Sequence, residues 1–397
     1  MSDFNLPHSS SRIHIAVFGK RNSGKSSLIN ALTGQEISLV SPTAGTTTDP
    51  VSKAVELSPL GACVLIDTAG FDDCGDLGLQ RVEKTRKILD KTDIAIILCR
   101  DAAASFELEW ASELKKRHIP YLAVISQADR QHGIFALEEQ VRGALKCDTV
   151  CTSAKDGTGI PELISALARL IPEDFDSQSI TRSLAGKGDT VLLIMPQDEQ
   201  APKGRLILPQ VQTIRELLDK DCTVICSTLS GMDASLSALA KPPKLIITDS
   251  QVFSSVYEKK PKESLLTSFS VLFAAYKGDI SEFINGAEAI PKLKAGDKVL
   301  IAEACAHNAK DGDIARVKIP ALLKKKVCDG IEIHVVSGAE FNADLKDYSL
   351  IIHCGACMFN RRLVLSRIAA AQAAGVPITN YGIAIAKLND ILDKITY

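Results

Sequence analysis

The stretch Ile13-His-Ile-Ala-Val-Phe-Gly-Lys-Arg-Asn-Ser-Gly-Lys-Ser-Ser-Leu-Ile-Asn-Ala-Leu32 decides the fold of the first third of this 397-residue chain. Its first six residues form an apolar run typical of a buried strand, and residues 28–32 begin a helical pattern. Between them lies Gly-x-x-x-x-Gly-Lys-Ser, in the strand–loop–helix setting that a phosphate-binding loop requires. Its glycines turn backbone N–H groups toward phosphate, Lys25 reaches the terminal phosphates, and the Ser26 hydroxyl ligates Mg²⁺. The sequence therefore predicts a P-loop nucleotide site, against the plainer alternative of a glycine turn.

Length and composition indicate a globular protein of two or three domains, since 46% of the residues are hydrophobic and 24% are charged. A formal net charge of -2 and a pI near 6.4 give no general electrostatic case for nucleic acid or anionic lipid. Residues 1–11 lack the apolar core of a secretory signal, and the apolar runs are too short to span a membrane. We therefore expect no nucleic-acid or membrane partner, and a location in the cytoplasm or another reducing compartment.

Three further motifs follow the P-loop in the first third. Val64-Leu-Ile-Asp67 is a second strand whose terminal acid can hold the Mg²⁺ shell, and Gly70 can follow the γ-phosphate. The apolar runs at residues 122–125 and 150–152 lead into Ser126-Gln-Ala-Asp129 and Ser153-Ala-Lys155. This alternation of strands and helices predicts a doubly wound parallel sheet that ends near Pro172.

In order and spacing, these motifs resemble the TrmE–Era branch of small GTPases. The resemblance implies that Asp129 recognises guanine, that Ser153 and Ala154 meet the base oxygen, and that Thr47 completes the Mg²⁺ shell. The residues that it implies bind GTP, Mg²⁺ or K⁺ are Gly19, Asn22, Ser23, Gly24, Lys25, Ser26, Ser27, Thr47, Asp67, Gly70, Asp129, Ser153 and Ala154. Those that it implies act in GTP hydrolysis are Lys25, Thr47, Asp67 and Gly70.

Details of the motifs refine this resemblance. Asn22 occupies the position that helps to coordinate K⁺ in the potassium-activated members of the branch, and Phe71 stands where Ras-like proteins carry a water-positioning glutamine. Together, Asn22 and the missing glutamine predict a slow, potassium-stimulated GTPase, with no general base assigned. Ser126 and Gln127 replace the usual asparagine and lysine of the base-recognition motif. Because the asparagine brace and the lysine stem over the purine are missing, we expect guanine specificity to persist through Asp129 with weakened affinity.

The middle of the chain carries no catalytic pair. Residues 173–188 are polar and aperiodic, which predicts a linker, and residues 189–265 alternate short strands and helices as a small α/β domain. Lys203 and Arg205 can form an anion site, although a solvated loop is the simpler interpretation. A domain without chemistry between two domains with chemistry predicts a dimerisation module and a homodimer, an inference by elimination.

The chain contains 11 cysteines, which a reducing compartment keeps mostly as free thiols. Cys63, Cys99, Cys222 and Cys226 lie in apolar or alternating runs and are predicted to be core residues. The remaining cysteines of interest form two clusters with histidine, residues 305–307 and residues 353–357. Thiolate and imidazole are ligands that transition metals prefer, so Cys305, His307, His353, Cys354 and Cys357 are predicted to surround a metal.

Both clusters follow predicted strands, residues 297–303 and 348–352, and a long helix is predicted over residues 360–375. Because open α/β sheets bind ligands at the carboxyl ends of their strands, we expect the two clusters to form one site. Three cysteines and a histidine suit a structural zinc, whereas three thiolates suit a [4Fe–4S] cluster with one iron open to exchange. The donor chemistry favours iron–sulfur and leaves zinc as the alternative.

A GTPase of this branch followed by Cys-x-His and His-Cys-x-x-Cys resembles the HydF family of [FeFe]-hydrogenase maturation GTPases over essentially the whole chain. The resemblance implies a GTPase domain (1–172), a dimerisation domain (189–265) and a cluster domain (266–397), the last two being smaller α/β domains. It implies a scaffold that receives a transient diiron precursor from radical SAM maturases and delivers it to apo-hydrogenase. Cys305, Cys354 and Cys357 would hold the [4Fe–4S] cluster, with His307 and His353 either ligating it or orienting its ligands through hydrogen bonds.

Two other classes of function stay open at this point. One is a ribosome- or tRNA-associated GTPase with a structural zinc, against which the mildly acidic composition counts. The other is a redox enzyme that uses the cluster for electron transfer, for which the sequence offers no second redox site.

Overall fold

The computed structural model describes residues 12–34, 51–68, 87–103, 105–130, 133–171, 179–196, 206–303, 314–337, 341, 344–356 and 359–397. The chain divides into two compact units, Met1–Phe175 and Asp176–Tyr397. The predicted site residues that lie outside the described residues are Thr47, Gly70, Cys305, His307 and Cys357. Phe71, Lys203 and Arg205 lie outside them as well. Within the described ranges, no helix combines the length and apolar character needed to cross a membrane.

The first unit contains a six-stranded sheet in the order β2-β3-β1-β4-β5-β6. Its strands are β1 (Ile13–Gly19), β2 (Val51–Leu57), β3 (Gly61–Asp67), β4 (Ile94–Cys99), β5 (Tyr121–Ile125) and β6 (Thr149–Cys151). Its helices are α1 (Lys25–Thr33), α2 (Ser105–Lys116), α3 (Ile134–Leu145) and α4 (Ile160–Arg169). All neighbouring strands are parallel except β2, which is antiparallel to β3.

Helices cover both faces of this sheet, and its central strands are therefore buried along their whole length. One face packs Ile15 and Val17 of β1 against α1 and α4. On the other face, Phe18 stacks on Trp110 of α2 with ring centroids 5.1 Å apart. At the start of α4, a Cβ on Gly159 would lie 2.0 Å from the Cys151 carbonyl oxygen, so only glycine fits there. The predicted doubly wound P-loop fold is confirmed.

The second unit contains two four-stranded parallel sheets, in the orders β10-β9-β7-β8 and β12-β11-β13-β14. The strands of its first sheet are β7 (Thr190–Ile194), β8 (Thr223–Ser227), β9 (Leu245–Thr248) and β10 (Leu265–Ser268). Those of its second sheet are β11 (Lys298–Glu303), β12 (Glu332–Ser337), β13 (Leu350–His353) and β14 (Ile378–Asn380). The helices are α5 (Leu208–Asp219), α6 (Met232–Ser237), α7 (Phe253–Lys259), α8 (Phe269–Lys277), α9 (Ile280–Ala287), α10 (Ile319–Lys326), α11 (Arg361–Ala374) and α12 (Tyr381–Leu388).

These two sheets bear out the prediction of two α/β folds after the GTPase fold. The boundary expected between residues 265 and 266 falls inside β10, which pairs with β9 in the first of the two sheets. Cys226, predicted to be a core residue, is exposed, because β8 is the edge strand of that sheet. The core prediction is correct for Cys63, Cys99 and Cys222, whose side chains are buried.

The described part of the expected linker, residues 179–188, packs onto the first sheet of the second unit. Ile180 and Thr181 are buried, and the carboxylate of Glu216 in α5 accepts hydrogen bonds from their backbone N–H groups and from the Ser179 hydroxyl. Burial raises the pKa of Glu216, but these hydrogen bonds outweigh it and hold the pKa below its ordinary value. One acidic side chain thus fixes a segment that composition alone marks as polar and aperiodic.

Candidate nucleotide and metal-ligand sites

The loop between β1 and α1 has the backbone geometry of a phosphate cradle. Asn22 and Gly24 both have a positive φ, 58° and 97°, a conformation that turns successive N–H groups to one side of the chain. Gly24 is the N-cap of α1 and supplies no side-chain hydrogen bond, so the helix N-terminus keeps donors for an anion. A Cβ on Gly19 would lie 2.8 Å from the Leu98 carbonyl oxygen, which explains glycine at the start of the loop.

The P-loop lysine is buried and hydrogen-bonded to the backbone of its own loop. Lys25 Nζ donates to the carbonyl oxygens of Gly19, at 2.9 Å, and Lys20, at 2.8 Å. Lys20 in turn pairs with Glu107 of α2 at 3.2 Å, and the Glu107 side chain is buried. The Lys25 ammonium group is therefore anchored to the backbone of the P-loop itself.

Two residues predicted to hold Mg²⁺ meet on neighbouring elements. Ser26 Oγ, in the first turn of α1, donates to Asp67 Oδ2 at the end of β3 at 2.6 Å. Burial raises the pKa of Asp67, and the Ser26 hydrogen bond and the charges of Lys25 and Lys53 partly offset that effect. A divalent cation bound here would stabilise the charged carboxylate of Asp67, because its positive charge offsets the unfavourable effect of burial. The adjacent Ser26 hydroxyl oxygen can be a second ligand.

The base-recognition loops lie side by side after β5 and β6. Asp129 is exposed in a short 3₁₀ turn, Ala128–Arg130, and the Ala128 N–H donates to the Thr152 carbonyl oxygen at 3.1 Å. Ser153 and Ala154 follow Thr152 directly, and the Ser153 N–H donates to the Thr158 carbonyl oxygen at 2.9 Å. The structure thus brings the Asp129 and Ser153 loops together at the carboxyl edge of the sheet.

The sequence led us to expect no loop brace at position 126, because serine replaces the usual asparagine. The structure corrects this expectation, since Ser126 itself makes a bracing hydrogen bond. Ser126 Oγ donates to the Ser23 carbonyl oxygen in the P-loop at 2.8 Å, and the Ser126 side chain is buried. The shorter side chain reaches because the two loops approach closely here, where Ser126 Cβ lies 3.9 Å from the position a Gly24 Cβ would take. Gln127 beside it has a φ of 57° and is half-buried.

In the second unit, the strands that lead into the two cysteine clusters are neighbours. β11 pairs with β13, with Ala302 opposite His353, and the Cys354 N–H extends the ladder by donating to the Ala302 carbonyl oxygen at 2.9 Å. β14 pairs with the other side of β13, with Asn380 opposite His353. Cys354 therefore lies at the carboxyl edge of the sheet, next to the strand that precedes Cys305 in sequence.

The described part of the Cys-x-x-Cys turn suits a thiolate ligand. The Ala356 N–H donates to Cys354 Sγ at 3.4 Å, and Ala356 has a φ of 46°. Hydrogen bonds from backbone N–H groups to sulfur are one of the ways in which proteins stabilise metal-bound thiolates. Among the residues whose positions are described, no three His, Cys, Asp or Glu side chains are grouped so as to hold a metal ion. Of the three predicted cysteine ligands, Cys354 lies within the described residues.

His353 is fully buried, and both of its ring nitrogens have partners. Nδ1 lies 2.6 Å from the Cys354 carbonyl oxygen, and Nε2 lies 2.9 Å from Nη1 of Arg367 in α11. Burial and the Arg367 charge lower the pKa of His353 to about 3, partly opposed by the bond to the Cys354 carbonyl. The ring is therefore neutral at physiological pH.

Sequence reasoning missed the contacts made by Ser126, Arg367 and Lys277. Lys277, at the end of α8, is buried and donates to the Phe359 carbonyl oxygen at 2.9 Å, two residues beyond Cys357. The sequence does carry a signal for Arg367, because Val364, Ile368 and Ala371 give α11 an apolar face on which Arg367 also falls. A charged residue on such a face indicates a buried partner.

Comparison with known families assigns all three parts of the chain. Residues 14–127 match the model of the 50S ribosome-binding GTPase family. Residues 180–278 match the hydrogen maturase F dimerization domain, and residues 281–396 match the hydrogen maturase F tetramerization domain. The last two matches together cover more than half of the 397 residues.

Curated relatives match the N-terminal part. GTPase Der from Wolinella succinogenes is 34% identical over 188 residues, which are 45% of this chain and 39% of that protein. The tRNA modification GTPase MnmE from Dichelobacter nodosus is 32% identical over 176 residues, 42% of this chain and 37% of that protein. The chain thus spans well under half the length of these relatives. Era from Aquifex aeolicus bound to GDP and AlF4⁻ has a TM-score of 0.37 at 20% identity, covering 54% of this chain and 92% of that one.

Proposed function

Because the chain belongs to the hydrogen maturase F family, we propose that it is a GTP-hydrolysing scaffold in [FeFe]-hydrogenase maturation. In this proposal the second unit holds a [4Fe–4S] cluster and transfers a diiron precursor to the apo-hydrogenase. Radical SAM maturases would supply the precursor, and a homo-oligomer in the cytoplasm would be the working form. The proposal is supported first by the placement of Cys354 at the carboxyl edge of the sheet, beside the strand that leads into Cys305.

The first unit would bind and hydrolyse GTP. The N–H groups of the P-loop and of the α1 N-terminus would hold the phosphates, and Lys25 would neutralise their charge. Ser26 and Asp67 would hold Mg²⁺, which offsets the negative charge on the phosphate oxygens. Asp129, with the Ser153 loop tied beside it, would recognise guanine. Thr47 and Gly70 complete the proposed set.

Asn22 is proposed to help bind K⁺ beside the phosphates. Asn22 is exposed and has a positive φ at the turn of the P-loop. Its backbone and amide oxygens are the kind of ligand that a monovalent cation would use. A bound cation there would supply positive charge near the phosphates, the role that an arginine finger plays in other GTPases.

In the second unit, Cys305, Cys354 and Cys357 would hold the cluster. The described donor fits, because the half-buried Cys354 sulfur already accepts a backbone N–H and lies at the end of a rigid, buried strand. Three thiolates leave one iron of a [4Fe–4S] cluster open to an exchangeable ligand, which suits a carrier rather than a purely structural centre. His353 would orient the Cys354 loop, while His307 is proposed as a ligand or a hydrogen-bonding neighbour.

The decisive experiment is metal analysis of full-length protein after anaerobic reconstitution with iron and sulfide, together with EPR. We expect about four iron and four sulfide per chain and a reduced-cluster signal, both lost in Cys354→Ala. Because the two sites lie in separate units, Cys354→Ala should keep wild-type GTP turnover. Cys328→Ala, a half-buried cysteine outside both clusters, is the matched control.

One equivalent of zinc per chain with no cluster signal would overturn the iron–sulfur proposal in favour of a structural zinc site. Loss of GTP turnover in a folded Cys354→Ala protein would contradict the separation of the two sites.

A further inference from the structure

The hydrogen bonds of His353 fix which ring nitrogen carries the proton. A guanidinium has only donors, so Arg367 Nη1 must donate to Nε2 of His353 across the 2.9 Å contact. A carbonyl oxygen only accepts, so Nδ1 must carry the proton and donate to Cys354 O across 2.6 Å. Both contacts are satisfied by one neutral tautomer, with no nitrogen left for a metal.

Arg367 also contacts an aromatic ring. Its guanidinium carbon lies 4.8 Å from the centre of the Phe341 ring, a cation–π contact, and its residue is only 5% exposed. The same Phe341 ring packs edge-on against His353, with centroids 6.3 Å apart. His353, Arg367 and Phe341 thus contact one another pairwise.

We propose that Arg367 is a positioning residue for the metal site, acting through His353. By occupying Nε2, Arg367 keeps His353 from becoming a metal ligand and directs Nδ1–H to the carbonyl of Cys354. His353 thereby sets the direction in which the Cys354 sulfur points, so the fourth position of the cluster does not come from His353. This inference rests on the proposed cluster function of the second unit.

A second buried cation holds the other end of the same loop. Lys277 donates to the Phe359 carbonyl oxygen, five residues after Cys354, and its side chain is buried. Arg367 and Lys277 thus place two positive charges near a loop proposed to carry thiolates. Through His353, Arg367 fixes the Cys354 carbonyl oxygen, and Lys277 fixes that of Phe359.

The test compares full-length Arg367→Ala, Arg367→Lys and the control Arg362→Ala, a half-buried arginine of the same helix. Each protein is reconstituted with iron and sulfide, and the rate at which a chelator removes iron is measured. We expect Arg367→Ala to lose iron roughly tenfold faster than wild type, Arg367→Lys to lie between them, and Arg362→Ala to match wild type. Thermal unfolding of the metal-free proteins and GTP turnover report whether the fold is intact.

A double-mutant cycle separates action through His353 from general support of the fold. If Arg367 acts through His353, the Arg367→Ala change should alter the iron-loss rate less than about twofold in a His353→Leu background. Additive effects of the two changes, or a wild-type rate in Arg367→Ala, would overturn the inference.

A measurement without cluster keeps the inference testable if these variants do not fold. Long-range ¹H–¹⁵N correlation of metal-free protein labelled with ¹⁵N-histidine should show His353 with its proton on Nδ1, assigned by comparison with His353→Gln. A proton on Nε2 would overturn the inference. If wild-type protein takes up no cluster at all, the proposed function fails, while the tautomer result still decides whether Arg367 occupies Nε2 of His353.

Discussion

Replacing Ser126 by alanine should weaken guanine-nucleotide binding, because this hydroxyl ties the P-loop to the base-recognition strand. The Ser126→Ala change removes the 2.8 Å hydrogen bond to the Ser23 carbonyl oxygen. Ser23 and Ser126 are both buried, so the carbonyl group loses this donor in a buried setting. An unsatisfied buried polar group costs about 1–3 kcal/mol. The nucleotide orders both loops at once, so most of that cost should appear in the bound state.

A loss of about 1–2 kcal/mol corresponds to a 5–30-fold rise in the dissociation constant for GDP. The assay is titration of the full-length protein with a fluorescent GDP analogue, with thermal unfolding measured in parallel. Ser165→Ala is the matched control, because Ser165 Oγ also donates to a backbone carbonyl, that of Pro161 at 2.9 Å, but from an exposed position of α4. It should leave the dissociation constant unchanged.

Ser126→Asn sharpens the same test, since asparagine is the usual residue of the motif and can make the same bond. We expect it to bind GDP at least as tightly as wild type. The reasoning would be refuted if Ser126→Ala bound GDP with wild-type affinity, or if it lowered thermal stability alone and Ser126→Asn behaved like Ser126→Ala.

Three further predictions concern separate parts of the chain. GTP hydrolysis should be faster in K⁺ than in Na⁺, and Asn22→Ala should remove the difference; equal wild-type rates in both salts would argue against a cation at Asn22. Glu216→Gln should destabilise the second unit by about 1.5–3 kcal/mol at pH 7 in denaturant unfolding. Because the hydrogen bonds hold the folded-state pKa of Glu216 below its ordinary value of 4.5, this difference should be full above that value and should disappear only as the pH falls through the lowered pKa. A difference that stays constant to the acid end of the titration would contradict the assignment. Gly286→Ala should destabilise by about 1–3 kcal/mol or more, since its Cβ would lie 1.9 Å from the Ile378 carbonyl oxygen, whereas Gly143→Ala, with open space around it, should be neutral or stabilising.

The strands and the P-loop were predictable because their signals are local. β4 and β5 are uninterrupted apolar runs, and every residue in them is buried. The Gly24–Lys25 motif specifies backbone geometry and chemistry within eight residues, and the structure places it between a strand and a helix as predicted. The sequence also predicted that β11 and β13, the strands that precede the two cysteine clusters, end at the same edge of the sheet, because parallel strands place their carboxyl ends together.

What could not be predicted depends on contacts between elements distant in sequence. The Ser126 brace joins residues 103 positions apart, and its existence depends on how closely two loops approach, which no local pattern records. The exposure of Cys226 depends on β8 being an edge strand, and alternation within five residues does not reveal the order of strands in a sheet.

The burial of Arg367 could be predicted from the sequence, but its partner His353 could not. That partner determines how His353 should be interpreted. Adjacency to cysteine made His353 look like a ligand in sequence, since imidazole is a common metal donor. The apolar face of α11 required Arg367 to be buried, and a buried guanidinium requires acceptors. The Nε2 atom of the neutral His353 ring is one such acceptor, 2.9 Å from Nη1 of Arg367. The histidine next to the cysteine is therefore used as an acceptor for a buried cation, and its second nitrogen is turned to the cysteine backbone.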